Sequence, residues 1–540
     1  MNIRYITYFC HFVLLLCIGW QTACNSEPET TRQPAADFAH EERDILSLRE
    51  GYKNGDFTIT EVVQAYLDRI AEIDKSGPRL NSVIELNPDA LQIAGELDKA
   101  WKAGDIKGPM HGIPVILKDN IDTHDKMATT AGSRALLGSC PLQDSYVARQ
   151  LRAAGAVIIG KANLSEWANF RGELSSSGWS GAGGQTKNPY VLNRNPCGSS
   201  SGSAVAVAAN LAMVAIGTET NGSIVCPSSS NGIVGIKPTV GLVSRSGVIP
   251  ISYTQDTPGP MARTVRDAAI CLGALTGIDS LDDKTLASRG KFYSDYTQFL
   301  KEDGLKGKRI GLYKGPLGRN YKVDTLLYRA VHFMKSRGAE IVEIEEITKE
   351  NMGGYSFEVM LYEYKEGLNN YFRSLGPGAP VKSLEELIAF NRADSVSLRY
   401  FNQKYLEMAQ KKGGLTSEAY TEALSKMLKG SREDGIDRVM DEYELDALIA
   451  PTGSPAWKTD LINGDSFQLG SSSPAARAGY PNITVPMGFA GPLPVGIFFF
   501  GRAWSEPVLL EIAYAYEQGT RHRRAPEFLT SDSPEKHIPK

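Results

Sequence analysis

The chain has 540 residues, of which 42% are hydrophobic and 22% charged, a composition that excludes a wholly disordered or wholly membrane-embedded protein. With 58 basic against 62 acidic residues and a formal net charge of -4, it lacks the cationic surplus needed to neutralise a phosphate backbone, which excludes nucleic acid as a partner. Its seven cysteines form no CxxC pair and no Cys/His cluster, which argues against zinc and against a disulfide scaffold.

Residues 1–24 read as an export signal: Arg4 precedes an apolar stretch from Tyr5 to Trp20, which runs into Thr22, Ala23 and Cys24. That stretch is shorter than the roughly twenty residues a spanning helix needs. Small residues before Cys24 resemble a bacterial lipoprotein box, which implies a lipid anchor on that cysteine, although Gln21 departs from the apolar residue usual there. Residues 25–42, rich in Pro, Ser, Thr and Glu, read as a flexible tether, residues 43–525 as one folded body, and residues 526–540 as a loose tail.

Within the body, Thr58 or Thr60 followed by Glu61 marks a helix start. Val62, Val63, Tyr66, Ile70 and Ile73 then recur at helical spacing. Strand-like runs alternate with helical stretches: Val115–Leu117, then Tyr146–Ala154 before Val157–Ile159, then Ala204–Asn210 before Met213–Ile216. The alternation resumes with Arg309–Tyr313, a helix near Leu326–Ser336, and strands at Glu340–Ile344, Leu448–Ala450, Ile483–Val485 and Val495–Phe500. This is the α/β pattern, with strand pieces at both ends contributing to one sheet. Residues 351–440 carry helical periodicity and almost no strand signal, as a helical insertion over that sheet would.

Two serine-glycine stretches stand out, Pro196-Cys-Gly-Ser-Ser-Ser-Gly-Ser203 and Gly217-Thr-Glu-Thr-Asn-Gly-Ser-Ile-Val-Cys-Pro227. Their glycines let the main chain approach a ligand closely, and the N–H groups leading to Ser223 are placed to receive a developing oxyanion. A third stretch, Gly108-Pro-Met-His-Gly-Ile-Pro-Val-Ile-Leu-Lys-Asp-Asn120, ends an apolar strand on Lys118. Burial there favours the neutral amine, which pulls a lysine below its free value of about 10.4 and towards use as a base. Cys140, Cys197, Cys226 and Cys271 read as buried small apolar residues, and a Cys197–Cys226 bridge follows only if the two serine loops meet.

Taken together, these three stretches resemble the amidase signature family residue by residue. The likeness continues through Lys161-Ala-Asn-Leu-Ser-Glu166, Gly184-Gln-Thr-Lys-Asn-Pro189 and Gly235-Ile-Lys-Pro-Thr239. It spans about residues 43–525, is strongest over 108–263, and in Thr129-Thr-Ala-Gly-Ser133 looks most like bacterial peptide amidases. The resemblance implies an α/β/α sandwich around a mixed sheet. It also implies that Ser223 is the nucleophile, Ser199 a bridging serine held by a cis peptide bond, and Lys118 the base. Thr220, Asn221 and Gly222, with Ser223, would then offer backbone N–H groups to the oxyanion. Such a serine-lysine relay needs no histidine, metal or cofactor, and His111, although near Lys118 in sequence, is expected to be structural.

Asn221 and Ser201 stand where glycine is commonest in the family, and Val225-Cys226 replaces a frequent basic-apolar pair; these departures bear on substrate preference and leave the three relay residues intact. The expected activity is hydrolysis of a linear carboxamide, a small molecule or a C-terminal peptide amide, to carboxylate and ammonia by an exported or lipid-anchored protein. One rival is an esterase using Ser200 of Gly198-Ser-Ser-Ser-Gly202 as an elbow nucleophile, but Asn195 and Pro196 precede it where a strand is needed. Another is the glutaminase subunit of the tRNA-dependent amidotransferase, which an export signal opposes. The third is an exported non-catalytic binding lipoprotein, which would be expected to have lost Lys118, Ser199 or Ser223. The sequence does not fix the oligomeric state.

Overall fold

The first helix after the N-terminal segment, Ile45–Asn54, is capped by Asp44, and the next, Ile59–Arg69, begins on the reciprocal pair Thr58 and Glu61, each side chain bonded to the other's backbone N–H. Both are part of a computed structural model that describes residues 37–348 and 350–531. The export signal, Cys24 and most of the tether lie outside the described residues.

In chain order the strands are β1 (Val83–Leu86), β2 (Pro114–Lys118), β3 (Val157–Ala162), β4 (Trp179–Ser180), β5 (Gly184–Gln185), β6 (Val214–Glu219) and β7 (Val234–Lys237). They continue with β8 (Thr257–Ala262), β9 (Arg309–Tyr313), β10 (Glu340–Ile344), β11 (Ala447–Pro451), β12 (Asn482–Ala490) and β13 (Leu493–Phe500). All but the β4–β5 pair join one 11-stranded sheet in the order β1-β3-β2-β6-β8-β7-β12-β13-β11-β9-β10. Pairing is parallel for β3-β2-β6 and β11-β9-β10 and antiparallel elsewhere, so the sheet is mixed. The N-terminal and C-terminal strands meet where β7 pairs with β12, which makes one α/β/α body of the two ends of the chain.

The strand runs of the sequence lie where expected, and β9 and β10 match their expected bounds. The strand β8 was not legible: Thr-Pro-Gly-Pro-Met-Ala reads as a turn because proline cannot donate to a ladder. Its ladder to β7 reaches only Met261 and Ala262, so Pro258 and Pro260 leave no position of that pair empty. Helices in the middle of the chain, Gly353–Ser374, Leu384–Ala393, Lys404–Gln410 and Glu418–Ser431, form the expected insertion. Its apolar faces close over Trp167, Phe170, Ile249 and Ile251 of the sheet body.

The body extends beyond both expected boundaries. His40 is buried and Glu42 pairs with Arg523, so the end of the supposed tether packs against the body. At the other terminus Phe528 and Leu529 are buried and Leu529 bridges to Val191, so the first part of the supposed loose tail is fixed.

The helix Ser201–Ala208 is buried on every side, as a helix that is apolar all round must be. It is seated so closely that a Cβ on Gly202 would lie 2.2 Å from the Ser82 carbonyl oxygen and 2.4 Å from that of Asn163. Gly202→Ala is therefore expected to lower unfolding stability by about 1–3 kcal/mol in denaturant titrations. In Ala90–Lys102, Gly95 faces only Thr60 Oγ1 at 3.9 Å, and Gly95→Ala is expected to raise stability by roughly 0.5–1 kcal/mol. Equal effects of the two substitutions would contradict this packing.

Candidate active site

Strand β2 is buried along its whole length and delivers Lys118 at its last position, where the side chain is fully enclosed. The amine lies 2.7 Å from Ser199 Oγ, 2.9 Å from Thr218 Oγ1 and 3.2 Å from the Thr218 carbonyl oxygen. Asn120 donates to the same threonine hydroxyl at 3.1 Å and so fixes it. Burial pushes the Lys118 ammonium down to about 7, against the opposing pull of Asp256 and Glu219. The physical cause is loss of water around a charge whose direct partners are neutral. As an ammonium the group donates to all three oxygens; as a neutral amine it has two hydrogens and one lone pair, so one of these contacts must then be accepted from a hydroxyl, which Ser199 can supply.

Ser199 sits in the loop before the helix Ser201–Ala208, its peptide bond to Gly198 is cis, and its carbonyl accepts from Ser165 N at 3.1 Å. The loop of Ser223 follows β6, and the two meet where Ser200 N donates to the Ser223 carbonyl at 3.1 Å. The structure thus brings Lys118 and Ser199 into direct contact and sets Ser223 one residue away across a backbone bond. Ser223 is half-buried and Asn221 exposed, so this side of the pair faces solvent.

Residues 220–223 curve around Gly222, whose φ of 85° is in the left-handed region. Beneath them Glu219 accepts from Ile224 N at 2.9 Å and Val225 N at 3.1 Å, which fixes the start of the helix Val225–Ser230. From the side, Thr220 Oγ1 donates to Asp256 at 2.6 Å. Asp256 also accepts from Ile251 N and Ser252 N, and its burial raises it to about 6. Outside the helices and strands, the backbone N–H groups of residues 220–223 donate to no backbone carbonyl among the described residues.

Cys197 and Cys226 form a disulfide with Cα atoms 6.0 Å apart, packed on Trp457. This corrects the reading of both as separate buried thiols: the two loops do meet, and the bridge ties them two residues before Ser199 and three after Ser223. Ser200, the elbow candidate, is fully buried, and its hydroxyl is tied to the Thr218 carbonyl at 3.1 Å and to Thr218 N at 3.2 Å. His111 is buried between Lys107 N and the Leu97 carbonyl, a structural position.

Sequence reasoning singled out Lys118, Ser199 and residues 220–223 but not what holds them. Asp465 accepts from Ser177 N, Asn195 Nδ2 and Trp457 Nε1 at 3.0–3.2 Å and so braces the segment leading into Cys197. Lys161, the second buried lysine here, donates to the Ile121 carbonyl at 2.7 Å and Thr129 Oγ1 at 2.8 Å; Asp119 and Asp122 partly offset the burial that lowers it. Thr218 and Glu219 lay inside a stretch already noted for its chemistry. Asp256 and Asp465 had no local signal.

A family model described as Amidase matches residues 61–510. A probable amidase of Arabidopsis thaliana is 42% identical over 92% of this chain and 93% of its own. The crystal structure of native peptide amidase from Stenotrophomonas maltophilia superposes with a TM-score of 0.88 at 51% identity, covering 91% of this chain and 100% of that one. A putative amidase of Schizosaccharomyces pombe is 37% identical over 90% of this chain and 87% of its own. The chain belongs to the amidase signature family and is a hydrolase of amide C–N bonds.

Replacing Cys197 and Cys226 together by serine is expected to lower unfolding stability by about 2–4 kcal/mol, with thiol reductant reproducing the loss in the wild type. An unchanged denaturation midpoint in both experiments would contradict a bridge between the loops.

Proposed function

We propose that this amidase hydrolyses a linear carboxamide, of the kind a C-terminally amidated peptide carries, to carboxylate and ammonia through Ser223, Ser199 and Lys118. The observation that carries this reading is the 2.7 Å contact between Ser199 Oγ and an enclosed lysine amine that burial brings to about 7. A lysine so placed loses its proton near neutrality and can take one from a hydroxyl.

In the proposed sequence Ser223 Oγ attacks the amide carbonyl carbon, its proton passes to Ser199 Oγ, and the Ser199 proton passes to the Lys118 lone pair. The oxyanion is received by backbone N–H groups of Thr220, Asn221, Gly222 and Ser223. The tetrahedral intermediate collapses as the relay returns a proton to the leaving nitrogen, which departs as ammonia and leaves an ester on Ser223. Water then gives up a proton along the same path and attacks that ester, freeing the carboxylate.

The choice of a peptide amide rests on the likeness to the Stenotrophomonas peptide amidase. The Cys197–Cys226 disulfide supports an exported location, since such bonds persist in oxidising compartments. A lipid anchor on Cys24 remains part of this proposal.

Ammonia release from a short N-blocked peptide amide is expected for wild type. A fall of about 10³-fold or more in kcat/KM is expected for Ser223→Ala and Lys118→Ala. Because Lys118 must be neutral to accept the proton, kcat/KM should rise with pH through about 7 and level off above. A rate that falls on raising the pH through that point, or retained activity in Lys118→Ala, would reject the relay.

A further inference from the structure

The turn formed by residues 220–223 is held from below by Glu219 and from one side by Asp256. Its outer edge is held by a contact of a different kind. Ser472 Oγ donates to Asn221 Oδ1 at 2.7 Å, and Asn221 Nδ2 donates to Ser473 Oγ at 3.2 Å. Ser472 and Ser473 stand at the start of the helix Ser473–Ala478, which leads into β12 in the C-terminal half of the sheet. The approach is close: a Cβ on Gly222 would stand 3.0 Å from Ser472 Oγ.

We propose that Asn221 is a positioning residue for oxyanion stabilisation, its carboxamide clamped by the Ser472 and Ser473 hydroxyls so that the backbone N–H groups of residues 221–223 stay aimed at the reacting carbonyl. This rests on the relay proposed above. The physical case starts from the glycine: Gly222 has a φ of 85°, and with no Cβ it limits the backbone of the turn less than any other residue would. Donors that must rearrange when charge develops lose much of their value, so a preorganised turn needs a restraint on each side. A carboxamide meets that need because it both accepts and donates without adding charge beside the oxyanion. An aspartate would accept from both serines but would place a negative charge where one is forming. Glycine, commonest here in the family, offers no such clamp.

The test compares Asn221→Ala, Ser472→Ala/Ser473→Ala and the triple variant on a short N-blocked peptide amide and on the corresponding peptide aldehyde. The aldehyde accepts Ser223 Oγ at its carbonyl carbon and so mimics the tetrahedral state. Each of the first two variants is expected to lower kcat and weaken aldehyde binding roughly ten-fold, the scale of one or two hydrogen bonds. KM for the amide and binding of the product carboxylate should stay unchanged, and the triple variant should lose no more than either parent. A change confined to KM, full activity in the serine variant, or additive losses would overturn the clamp. Wild-type protein that neither releases ammonia nor captures the aldehyde would instead overturn the relay on which it rests.

Discussion

The site depends on the removal of water from one amine. Lys118 is enclosed at the end of a fully buried strand, and the groups it touches are two hydroxyls and a carbonyl. A charge held this way is costly, so the fold favours the neutral amine, which is the form the proposed relay requires of Lys118. Lys161, one strand away, is likewise buried and lowered, with Asp119 and Asp122 offsetting part of the burial as Asp256 and Glu219 do for Lys118. What separates the two is their contacts: Lys161 donates to the Ile121 carbonyl and the Thr129 hydroxyl, whereas Lys118 reaches Ser199.

Everything around Lys118 keeps its partner in place. The Ser199 loop is bridged to the Ser223 side by a disulfide, and the segment before it is braced through Asn195 by Asp465. The Ser223 loop is restrained by Glu219, Asp256 and the Asn221 carboxamide. Glu219 and the disulfide are local to the two serine loops, whereas Asp465 and Ser472 reach them from the C-terminal half of the chain, whose strands join the same sheet through the pairing of β7 with β12.

The sequence revealed what repeats locally and concealed what is joined at a distance. Apolar runs such as Arg309–Tyr313 and Glu340–Ile344 were read at their observed bounds because each carries its own burial pattern. The strand Thr257–Ala262 was missed because two prolines mask it. Lys118, Ser199 and residues 220–223 were legible from residue types and a family resemblance. Asp465 and Ser472 were not, since their partners Ser177 and Asn221 lie 288 and 251 residues away. Spacing likewise could not show that Cys197 and Cys226 face one another until the loops that carry them were seen to meet.

The relay from Ser223 through Ser199 to Lys118 is tested most directly by a fluorophosphonate, which any activated serine attacks at phosphorus with loss of fluoride, followed by peptide mass spectrometry of the labelled site in wild type and Lys118→Ala. An adduct on Ser223 that fades when Lys118 is replaced is the expected result. An adduct on Ser200, or one on Ser223 that forms equally fast without Lys118, would contradict it.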